Sequence, residues 1–544
     1  MNSTKKISAL LLSLLLSGVL LAGCGGGTGN SSGGASDTEQ GKNIVIGTGQ
    51  SCGTLDPLQS YDGWYAVRFG IGQTLTKLND DFSVSGWLAE DYTVNEDNTV
   101  WTFTIRDDVT FSNGTKLTAE LAKASLENVY ENGMRGTEYF TPAAIEADGQ
   151  TLVITTESPE PILPNKLADP YFTIIDTTVD MTNIADEGPV GTGPFVVESF
   201  DPVTKETVVA KNENYWGGEV LMDRITFVYT EDQSTLTMGL QSGDFDAVYN
   251  VSMTSIGDFE NNESYRIVRT ASGRTAHGFM NQNGVLGDEV LCQAILRYLD
   301  RESYCENLLN GEYVAGKTLL TSASVYGYDE LTDINAYDPE GAARLLDEAG
   351  YADIDGDGFR ETPEGEAINL RFVYYTGRPE QQILAEATQL ELAGLGIRVT
   401  LEVHDTQTVI DMLGSGDYDM LCMSINALNC GDPENHMNTY FKTGGSYNSF
   451  GYSSAEFDSV MDELSVTADA DRRVELVKEA EQILLDDSVC IYYCYPVMNF
   501  VTKSTVSGIT STPADFYWVS EVTDIQAGKR RYGKELRSLH IRFK

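Results

Sequence analysis

Basic residues are scarce in this chain. Its 36 lysines and arginines stand against 82 aspartates and glutamates, which gives a formal net charge of −46. Such an acidic surface repels nucleic acid and anionic lipid, and this argues against either as a direct partner. Aromatic residues are plentiful, with 28 tyrosines and 20 phenylalanines, so the composition indicates a globular protein and not an acidic disordered chain.

Histidine is scarcer still, and the sequence motifs of catalysis are missing. No Gly-x-Ser-x-Gly or His-Glu-x-x-His pattern sets a nucleophile or a metal beside a base, so we expect no enzyme activity. The chain also lacks the Gly-x-x-x-x-Gly-Lys-Ser/Thr phosphate loop of ATPases. The four histidines are His277, His404, His436 and His540.

The eight cysteines show no C-x-x-C spacing, which argues against a structural zinc site. Cys24 belongs to the N-terminal segment described next. The other seven are odd in number, so at least one thiol stays unpaired within the chain. These seven are Cys52, Cys292, Cys305, Cys422, Cys430, Cys490 and Cys494.

The N-terminus has the pattern of an export signal. Lys5 and Lys6 precede an apolar run at 7–22, whose 16 residues fall short of the roughly 20 that cross a bilayer. The run leads into Leu-Ala-Gly-Cys, which resembles the lipobox of bacterial lipoproteins. We predict a signal peptide at 1–23, a lipidated Cys24 bearing acyl chains such as palmitate, and a Gly/Ser-rich tether across 24–42. An uncleaved signal anchor is the alternative.

The C-terminal tail at 526–544 reverses the charge of the chain. From residue 527 onward it holds seven basic residues and a single acidic one. Contact with anionic lipid headgroups, a disordered tail and an altered reading frame near the stop codon all stay open as explanations.

Strand and helix patterns alternate between these ends. Period-two alternation and apolar runs predict strands at 43–48, 99–106, 370–375, 398–403 and 489–495. Amphipathic patterns predict helices at 117–131, 342–349, 380–393 and 472–485. This mixture indicates an α/β class, and about 500 residues are too many for one compact lobe.

Seven short blocks carry a family resemblance. In their order and spacing they resemble the family 5 extracellular solute-binding proteins of bacteria, over about residues 44 to 522. The blocks are LDP (55–57), GQTLTKL (72–78), WLAEDY (87–92), WTFTIRDDVTFSN (101–113), GTGPF (191–195), KNENYWG (211–217) and QSGDFDA (241–247).

The resemblance implies an α/β, two-lobed periplasmic-binding-protein fold with a hinge and an extra subdomain in the first lobe. Lobe I is expected at 43–271 and 500–525, its inserted subdomain at 80–186, and lobe II at 272–499. Such proteins close on a solute and deliver it to the permease subunits of an ABC importer, whose ATPases supply the energy. We expect this chain on the outer face of the cytoplasmic membrane, held by lipid. A peptide sensor that is not coupled to import is the alternative.

The resemblance also implies a ligand, either a short peptide or a peptide-like nickel chelate. Arg135 stands where nickel-type members carry an arginine that grips chelate carboxylates, a task for which the guanidinium fork is suited. Pairing of Arg135 with a nearby glutamate is the alternative. Trp64 and Tyr65 follow the LDP turn, where the family often lines its cleft with aromatic side chains. Ordinary packing is the alternative for both.

Lobe II departs from the family pattern. Many members carry Trp-Gly-x-x-Tyr-x-Asp-Pro where this chain reads NALNCGDP at 426–433. The tryptophan and tyrosine are missing, and we expect Asn426 and Asn429 to line a more polar pocket. His436 follows closely and is either a metal ligand or an ordinary loop residue.

A second metal hypothesis concerns the acidic turn that begins at residue 353. Asp353, Asp355, Asp357 and Glu364 have the oxygen-ligand spacing of an EF-hand loop, although a strand and not a helix is expected after them. This spacing predicts structural calcium, whereas the family resemblance implies an Asp-Gly-rich turn that requires no metal. No cofactor is otherwise expected.

Overall fold

The computed structural model describes residues 41–376 and 378–526. The predicted signal peptide, Cys24, most of the tether and nearly all of the basic tail lie outside these residues. Among the residues described, no helix is both long and apolar enough to cross a membrane.

The strands are short, apart from one that runs through the middle of the fold. In chain order they are β1 (Asn43–Thr48), β2 (Thr76–Leu78), β3 (Val84–Gly86), β4 (Ala89–Val94), β5 (Val100–Ile105), β6 (Pro142–Asp148), β7 (Thr151–Thr156), β8 (Phe195–Phe200), β9 (Thr207–Lys211), β10 (Arg224–Tyr229), β11 (Ala247–Tyr249), β12 (Tyr265–Ala271), β13 (Arg274–Met280), β14 (Tyr313–Ala315), β15 (Asn369–Tyr375), β16 (Arg398–His404), β17 (Met420–Asn426), β18 (Cys490–Lys503), β19 (Val506–Ser507) and β20 (Asp524–Ile525).

The helices range from a single turn to 17 residues. They are α1 (Gly63–Arg68), α2 (Ala119–Asn132), α3 (Gly136–Tyr139), α4 (Leu163–Lys166), α5 (Ile184–Glu187), α6 (Gln233–Ser242), α7 (Glu289–Tyr298), α8 (Arg301–Ser303), α9 (Pro339–Ala349), α10 (Pro379–Gly394), α11 (Thr406–Ser415), α12 (Glu434–Tyr440), α13 (Ala455–Val466) and α14 (Ala470–Asp486). Short 3-10 turns lie at Pro170–Phe172, Ile256–Asp258 and Val285–Gly287, and a π-helical turn lies at Tyr304–Leu308.

Aspartate begins many of these helices, which gives the acidic composition a structural use. Asp232, Asp288, Asp338, Asp405 and Asp469 each accept a hydrogen bond from a backbone N–H in the first turn of the helix that follows. The carboxylate satisfies an otherwise unpaired donor and meets the positive end of the helix dipole.

One large sheet holds both halves of the molecule together. Its strand order is β16-β15-β17-β13-β18-β11-β1-β10-β9-β8, with β12 and β14 also paired to β18. β13 pairs with β18 as far as Cys494, whereas β12 pairs with it from Val497 onward. β18 therefore changes neighbours midway and is shared by the two halves.

Pro496 lies at this change of neighbours, just beyond the end of the strand predicted at 489–495. Proline has no N–H to give to a strand ladder, so it usually marks an end or an irregularity in a sheet. Here its carbonyl oxygen accepts hydrogen bonds from the backbone N–H and the hydroxyl of Ser272, at 3.3 and 2.7 Å. The strand continues to Lys503 because β11 and β12 take over the pairing.

A separate four-stranded sheet, β4-β5-β7-β6, lies within the range predicted for the inserted subdomain. One face of α2 packs on it and forms a core with buried residues such as Phe103, Leu126 and Ile154. α2 begins at Ala119, two residues later than predicted, because Thr118 caps it: the Thr118 hydroxyl accepts a hydrogen bond from the Leu121 N–H.

Candidate ligand-binding site

A cavity of about 520 Å³ opens between the two halves of the large sheet. Part of its wall comes from segments at the carboxyl ends of parallel strands: residues 49–51 after β1, 375–376 and 378 at and after the end of β15, and 405–406 after β16. Open α/β sheets bind ligands at such ends. The volume falls in the range of about 300–1,000 Å³ that suits a small solute.

Three arginines meet at one side of this cavity around a single buried carboxylate. Asp515 accepts a hydrogen bond from Arg68 at 2.7 Å, and an Nη atom of Arg274 lies 3.5 Å from the same carboxylate oxygen. Burial alone would raise the pKa of Asp515, but the two guanidinium groups outweigh it and hold this pKa below its usual value. The charge of Asp515 is thus paired mainly with Arg68, and it neutralises the charge of Arg274 only in part.

Arg378 is the third arginine, and nearby Tyr375, Glu380 and Asp515 raise its pKa without contacting it directly. Its guanidinium is half-buried and lines the cavity, yet within 41–376 and 378–526 it makes no ion pair and donates no hydrogen bond. Arg274 is 5% exposed, and its Nε has no partner in the same ranges. Burial and the neighbouring charge of Arg378 lower the pKa of Arg274 to about 10. The pair therefore brings two positive charges to one side of the cavity.

Aromatic side chains lie beside these arginines. The Trp64 ring packs edge-on against Phe516, with ring centres 5.1 Å apart. The guanidinium carbons of Arg68 and Arg274 lie 5.3 and 5.4 Å from its centre. Tyr65 borders the same cavity and is 9% exposed. The two aromatic residues predicted from the sequence therefore support the arginine cluster, and their role in ligand binding stays a prediction.

Arg135 also lines the cavity, but the protein already uses much of its guanidinium. Its Nε donates to Glu138 at 2.9 Å and one Nη donates to the Tyr139 hydroxyl at 3.0 Å. Its Cζ lies 3.8 Å from the centre of the Tyr61 ring. The alternative stated from the sequence, a glutamate partner, is thus observed, and a ligand contact by Arg135 stays a prediction.

The two predicted asparagines border the cavity and hold neighbouring segments in place. Asn426 donates from Nδ2 to the Ala514 carbonyl oxygen at 3.2 Å. Asn429 donates from Nδ2 to Asp169 at 3.0 Å, across 260 positions of sequence. Because both amides have protein partners, the structure gives them a positioning role, and direct ligand contact stays a prediction.

Three carboxylates line the cavity as well, so the site is not uniformly positive. Glu138, Glu231 and Asp405 all border it, although Asp405 also caps α11. Arginines and carboxylates in one cavity suit a dipolar solute that carries both a carboxylate and an amino group.

A scan against protein-family models matches residues 83–448 to the bacterial extracellular solute-binding proteins, family 5. This chain belongs to that family. The nickel-binding protein NikA of Staphylococcus aureus is 26% identical over 521 residues, covering 95% of this chain and 99% of that protein. The probable D,D-dipeptide-binding periplasmic protein DdpA of Escherichia coli K12 is 25% identical over 493 residues, covering 86% and 92%.

The fold agrees with solved members of the family. S. aureus NikA in complex with Ni(L-His)2 superposes with a TM-score of 0.78 at 23% identity, covering 89% of this chain and all of that one. The predicted α/β, two-lobed periplasmic-binding-protein fold is therefore confirmed, and so is the family resemblance stated from the sequence. The exact lobe boundaries stay predictions.

In a solute-binding protein of this family, Arg274 and Arg378 are the cavity residues that the sequence interpretation missed. One signal could have found Arg378, because it follows the carboxyl end of a predicted strand in an α/β protein. Arg274 begins β13 opposite Asn426, the last residue of β17, so pairing brings it to the same edge. Nothing local in the sequence marks that pairing.

The predicted metal ligands are brought together only in part. Asp353, Asp355 and Asp357 place carboxylate oxygens within 4.8 Å of one another on an exposed turn, but Glu364 is not in this group. Calcium binding by the four predicted ligands therefore stays a prediction, with three of the four already grouped. His436 lies in the cavity wall, far along the chain from that turn.

The seven cysteines within the described residues are all buried free thiols. Burial raises the pKa of Cys52 and Cys292 to about 12, which keeps these thiols protonated and unreactive at neutral pH. They behave as small apolar residues of the core.

Proposed function

We propose that this protein is the lipid-anchored substrate-binding component of an ABC importer, and that it captures a short peptide or a peptide-like nickel chelate. One observation carries the ligand class: Arg274 and Arg378 line the cavity, and neither the Nε of Arg274 nor the guanidinium of Arg378 has a hydrogen-bond partner among the described residues. Buried charge is stable only when it is paired. The solute therefore supplies the missing carboxylate.

Size and charge narrow the solute further. A cavity of about 520 Å³ holds a solute of a few residues and not a long chain. The acidic side chains Glu138, Glu231 and Asp405 provide acceptors for an amino group of the same solute. Peptides and amino-acid chelates both carry this pair of groups. The names of the two relatives, a nickel-binding and a dipeptide-binding protein, support the same two classes.

Native mass spectrometry tests the ligand class. The full chain is purified in detergent without a histidine tag, and its retained solutes and metals are measured. We expect a small carboxylate-bearing solute at one copy per chain, with or without nickel. Peptides without metal would reject the chelate, whereas retention of an uncharged solute such as a sugar would contradict the proposal as a whole.

The anchoring part of the proposal depends on Cys24. The Cys24→Ser chain has no thiol to acylate and no lipobox cysteine, so it should no longer be recovered in detergent-solubilised membranes as a lipid-modified protein. We expect labelled palmitate to enter the unsubstituted chain and not this variant. As a control, Cys52→Ser should label normally, because Cys52 is buried in the fold. Equal labelling of the Cys24 variant and the unsubstituted chain would contradict lipidation at Cys24.

Import is tested by partner capture. Crosslinking in membranes should join this chain to a permease subunit, and loss of the chain should stop uptake of the solute found by mass spectrometry. If uptake continues unchanged without the chain, coupling to an importer is wrong.

A further inference from the structure

A second, smaller cavity of about 40 Å³ adjoins the candidate ligand-binding site, and we name it the side cavity. Four residues line both cavities: Gly49, Gln50, Gln233 and Arg378. The other walls of the side cavity are residues 249–253 at the end of β11, residues 312–313, residues 496–499 of β18 and Glu380. One water molecule needs about 10–15 Å³ of such a cavity, so the side cavity has room for about three groups of that size.

The carboxylate of Glu380 is an unsatisfied charged group in this wall. Glu380 is 1% exposed. Its Oε2 accepts a hydrogen bond from the Tyr313 hydroxyl at 3.1 Å, whereas its Oε1 is buried and has no hydrogen-bond partner among residues 41–376 and 378–526. Buried acceptors without a donor are rare in native proteins, because burying them costs free energy. The side cavity therefore calls for an occupant that donates hydrogen bonds.

The position of Glu380 in the chain offers another explanation, which its contacts do not support. Glu380 lies in the first turn of α10, where a carboxylate often accepts a hydrogen bond from a backbone N–H of the helix. The hydrogen-bond partner of Glu380 is instead Tyr313 on β14, 67 positions away. The carboxylate is thus held toward β14 and the side cavity, and not toward the N–H groups of its own helix.

The rest of this wall, apart from Arg378, has most of its polar groups paired within the protein. The Asn499 side chain accepts from and donates to the backbone of the segment after β11, at 2.9 and 3.2 Å. Glu312 is the other acidic residue of the wall, and it pairs with Arg269. Gln233 has an unpartnered Oε1, which is a further acceptor. Beside a carboxylate, a positively charged donor forms the strongest hydrogen bond to such acceptors.

Arg378 links the charges of the two cavities, because it borders both of them. Burial alone would lower the pKa of Arg378, but nearby Tyr375 and Glu380 outweigh it and raise this pKa. In return, the positive charge of Arg378 offsets part of the charge of Glu380. A solute carboxylate bound by Arg378 competes for that positive charge, so Glu380 then loses part of its compensation. A second positive group beside Glu380 restores it.

We propose that the side cavity binds a primary ammonium group, and that the solute carries this group on the same residue whose carboxylate meets Arg378. A lysine or ornithine residue at the carboxyl end of a short peptide has this arrangement. The ammonium group and the methylene next to it occupy the side cavity, and the rest of the side chain stays in the larger cavity. The inference rests on the proposed function for the carboxylate contact, and it narrows the solute to one with a basic amino-acid residue.

Two dipeptides that differ in one group test the side cavity. Ala-Lys and Ala-norleucine have the same backbone and the same four side-chain carbons, and only Ala-Lys carries a side-chain ammonium group. Calorimetry with the full chain in detergent should show about tenfold or more tighter binding of Ala-Lys. We expect Glu380→Gln to bind the two dipeptides within about threefold of each other. It should bind Ala-norleucine at least as tightly as the unsubstituted protein does, which also shows that the variant is folded.

Two variants and one modified ligand serve as controls. Glu386→Gln is the matched control, because Glu386 is exposed on the same helix α10, and it should keep the preference for Ala-Lys. Glu380→Asp keeps the charge and should retain part of the preference. Acetylation of the side-chain nitrogen of Ala-Lys removes the charge and enlarges the group. The acetylated dipeptide should therefore lose its advantage over Ala-norleucine in the unsubstituted protein, a result that does not depend on how any variant folds.

The side-cavity proposal and the proposed function can fail separately. Equal binding of the two dipeptides by the unsubstituted protein would overturn the side-cavity proposal and leave solute binding standing, with ordered water beside Glu380. A preference for Ala-Lys that persists in Glu380→Gln would also overturn it, because the carboxylates of the larger cavity would then hold the ammonium group. If neither dipeptide binds, peptide capture under the proposed function fails together with this inference.

Discussion

We expect the Arg378→Gln variant to bind its solute about 100-fold more weakly than the unsubstituted protein, a loss of about 2.7 kcal/mol. The guanidinium of Arg378 lines the cavity near Arg274, and its donors have no partner among residues 41–376 and 378–526. A carboxylate held there forms charge-assisted hydrogen bonds, and removing one partner of such a buried pair costs about 2–5 kcal/mol. Calorimetry with the solute found by mass spectrometry measures the change.

The same substitution should not destabilise the protein. Within the described ranges Arg378 donates no side-chain hydrogen bond and forms no ion pair, so glutamine removes a half-buried positive charge without breaking a direct protein contact of that charge. Tyr375 and the carboxylates of Glu380 and Asp515 act on this charge only from a distance, and they raise the pKa of Arg378. We expect the melting temperature without solute to stay close to that of the unsubstituted protein. A fall in both affinity and melting temperature would instead indicate a structural role for Arg378.

Two further variants serve as controls for Arg378. Arg371→Gln is the matched control, since Arg371 lies on β15, the strand that precedes Arg378, but pairs with Glu402 and Asp417, away from the cavity. Its solute affinity should be unchanged. Arg378→Lys keeps the charge but loses the planar guanidinium fork, so its solute affinity should lie between the affinities of Arg378→Gln and Arg371→Gln. If Arg378→Gln binds within about threefold of the unsubstituted protein, the proposed carboxylate contact of Arg378 is wrong.

The same titration decides the role of Arg135. Its donors already serve Glu138 and Tyr139, so we expect Arg135→Ala to cost less affinity than Arg378→Gln. A change within about threefold, under about 0.7 kcal/mol, would remove Arg135 from the ligand-binding residues.

The Glu481→Gln variant should be more stable than the unsubstituted protein at alkaline pH, by roughly 4 kcal/mol at pH 9. Glu481 lies on α14, is 1% exposed and accepts a hydrogen bond from the Leu320 N–H at 2.9 Å. No basic side chain pairs with it in the described ranges. Burial raises its pKa from 4.5 to about 8, because the interior disfavours the charged carboxylate.

The sign of this effect follows from where the proton is lost. Below pH 4.5 the carboxyl is protonated in both the folded and the unfolded chain. Substitution by glutamine therefore does not raise the free energy of unfolding there. Above pH 4.5 the unfolded chain releases the proton while the folded chain keeps it until about pH 8. Stability due to Glu481 is therefore lost as the pH rises from 4.5 through 8, and glutamine avoids this loss.

Urea unfolding of both chains at pH 4.5, 7 and 9 measures the difference, and all other titrating groups cancel in the comparison. Glu479→Gln is the matched control, because Glu479 is exposed on the same helix. We expect no pH-dependent difference for it. A difference between Glu481→Gln and the unsubstituted chain that stays flat from pH 5 to 9 would contradict the burial argument.

Elements with a clear local period could be predicted from the sequence. β1 runs over Asn43–Thr48, as its apolar pattern indicates, and α14 spans Ala470–Asp486 around the predicted 472–485. Length was harder to predict where tertiary pairing decides it. β18 continues past Pro496 because new neighbours supply the pairing there, and no local signal in residues 489–503 reports those neighbours.

The same distinction between local patterns and tertiary pairing applies to the residues of the candidate site. The position of Trp64 and Tyr65 in the cavity wall could be predicted because a turn and the residues that follow it are close in sequence, while their contact with ligand stays a prediction. Arg274 and Arg378 could not, because strand pairing brings them together and only their burial beside Asp515 shows that their charge is incompletely paired. The unpartnered carboxylate oxygen of Glu380 in the side cavity escaped prediction for the same reason.

The sequence by itself determined the class of this protein: an exported-type N-terminus, an acidic α/β chain and an ordered series of family blocks. Those features depend on composition and on the spacing of residues that are close in sequence, and both can be seen without a structure. Only the tertiary structure decided what the cavity offers a ligand. Whether an arginine is free, a carboxylate oxygen unpaired or a glutamate desolvated depends on neighbours hundreds of positions away, and burial sets the energy of each.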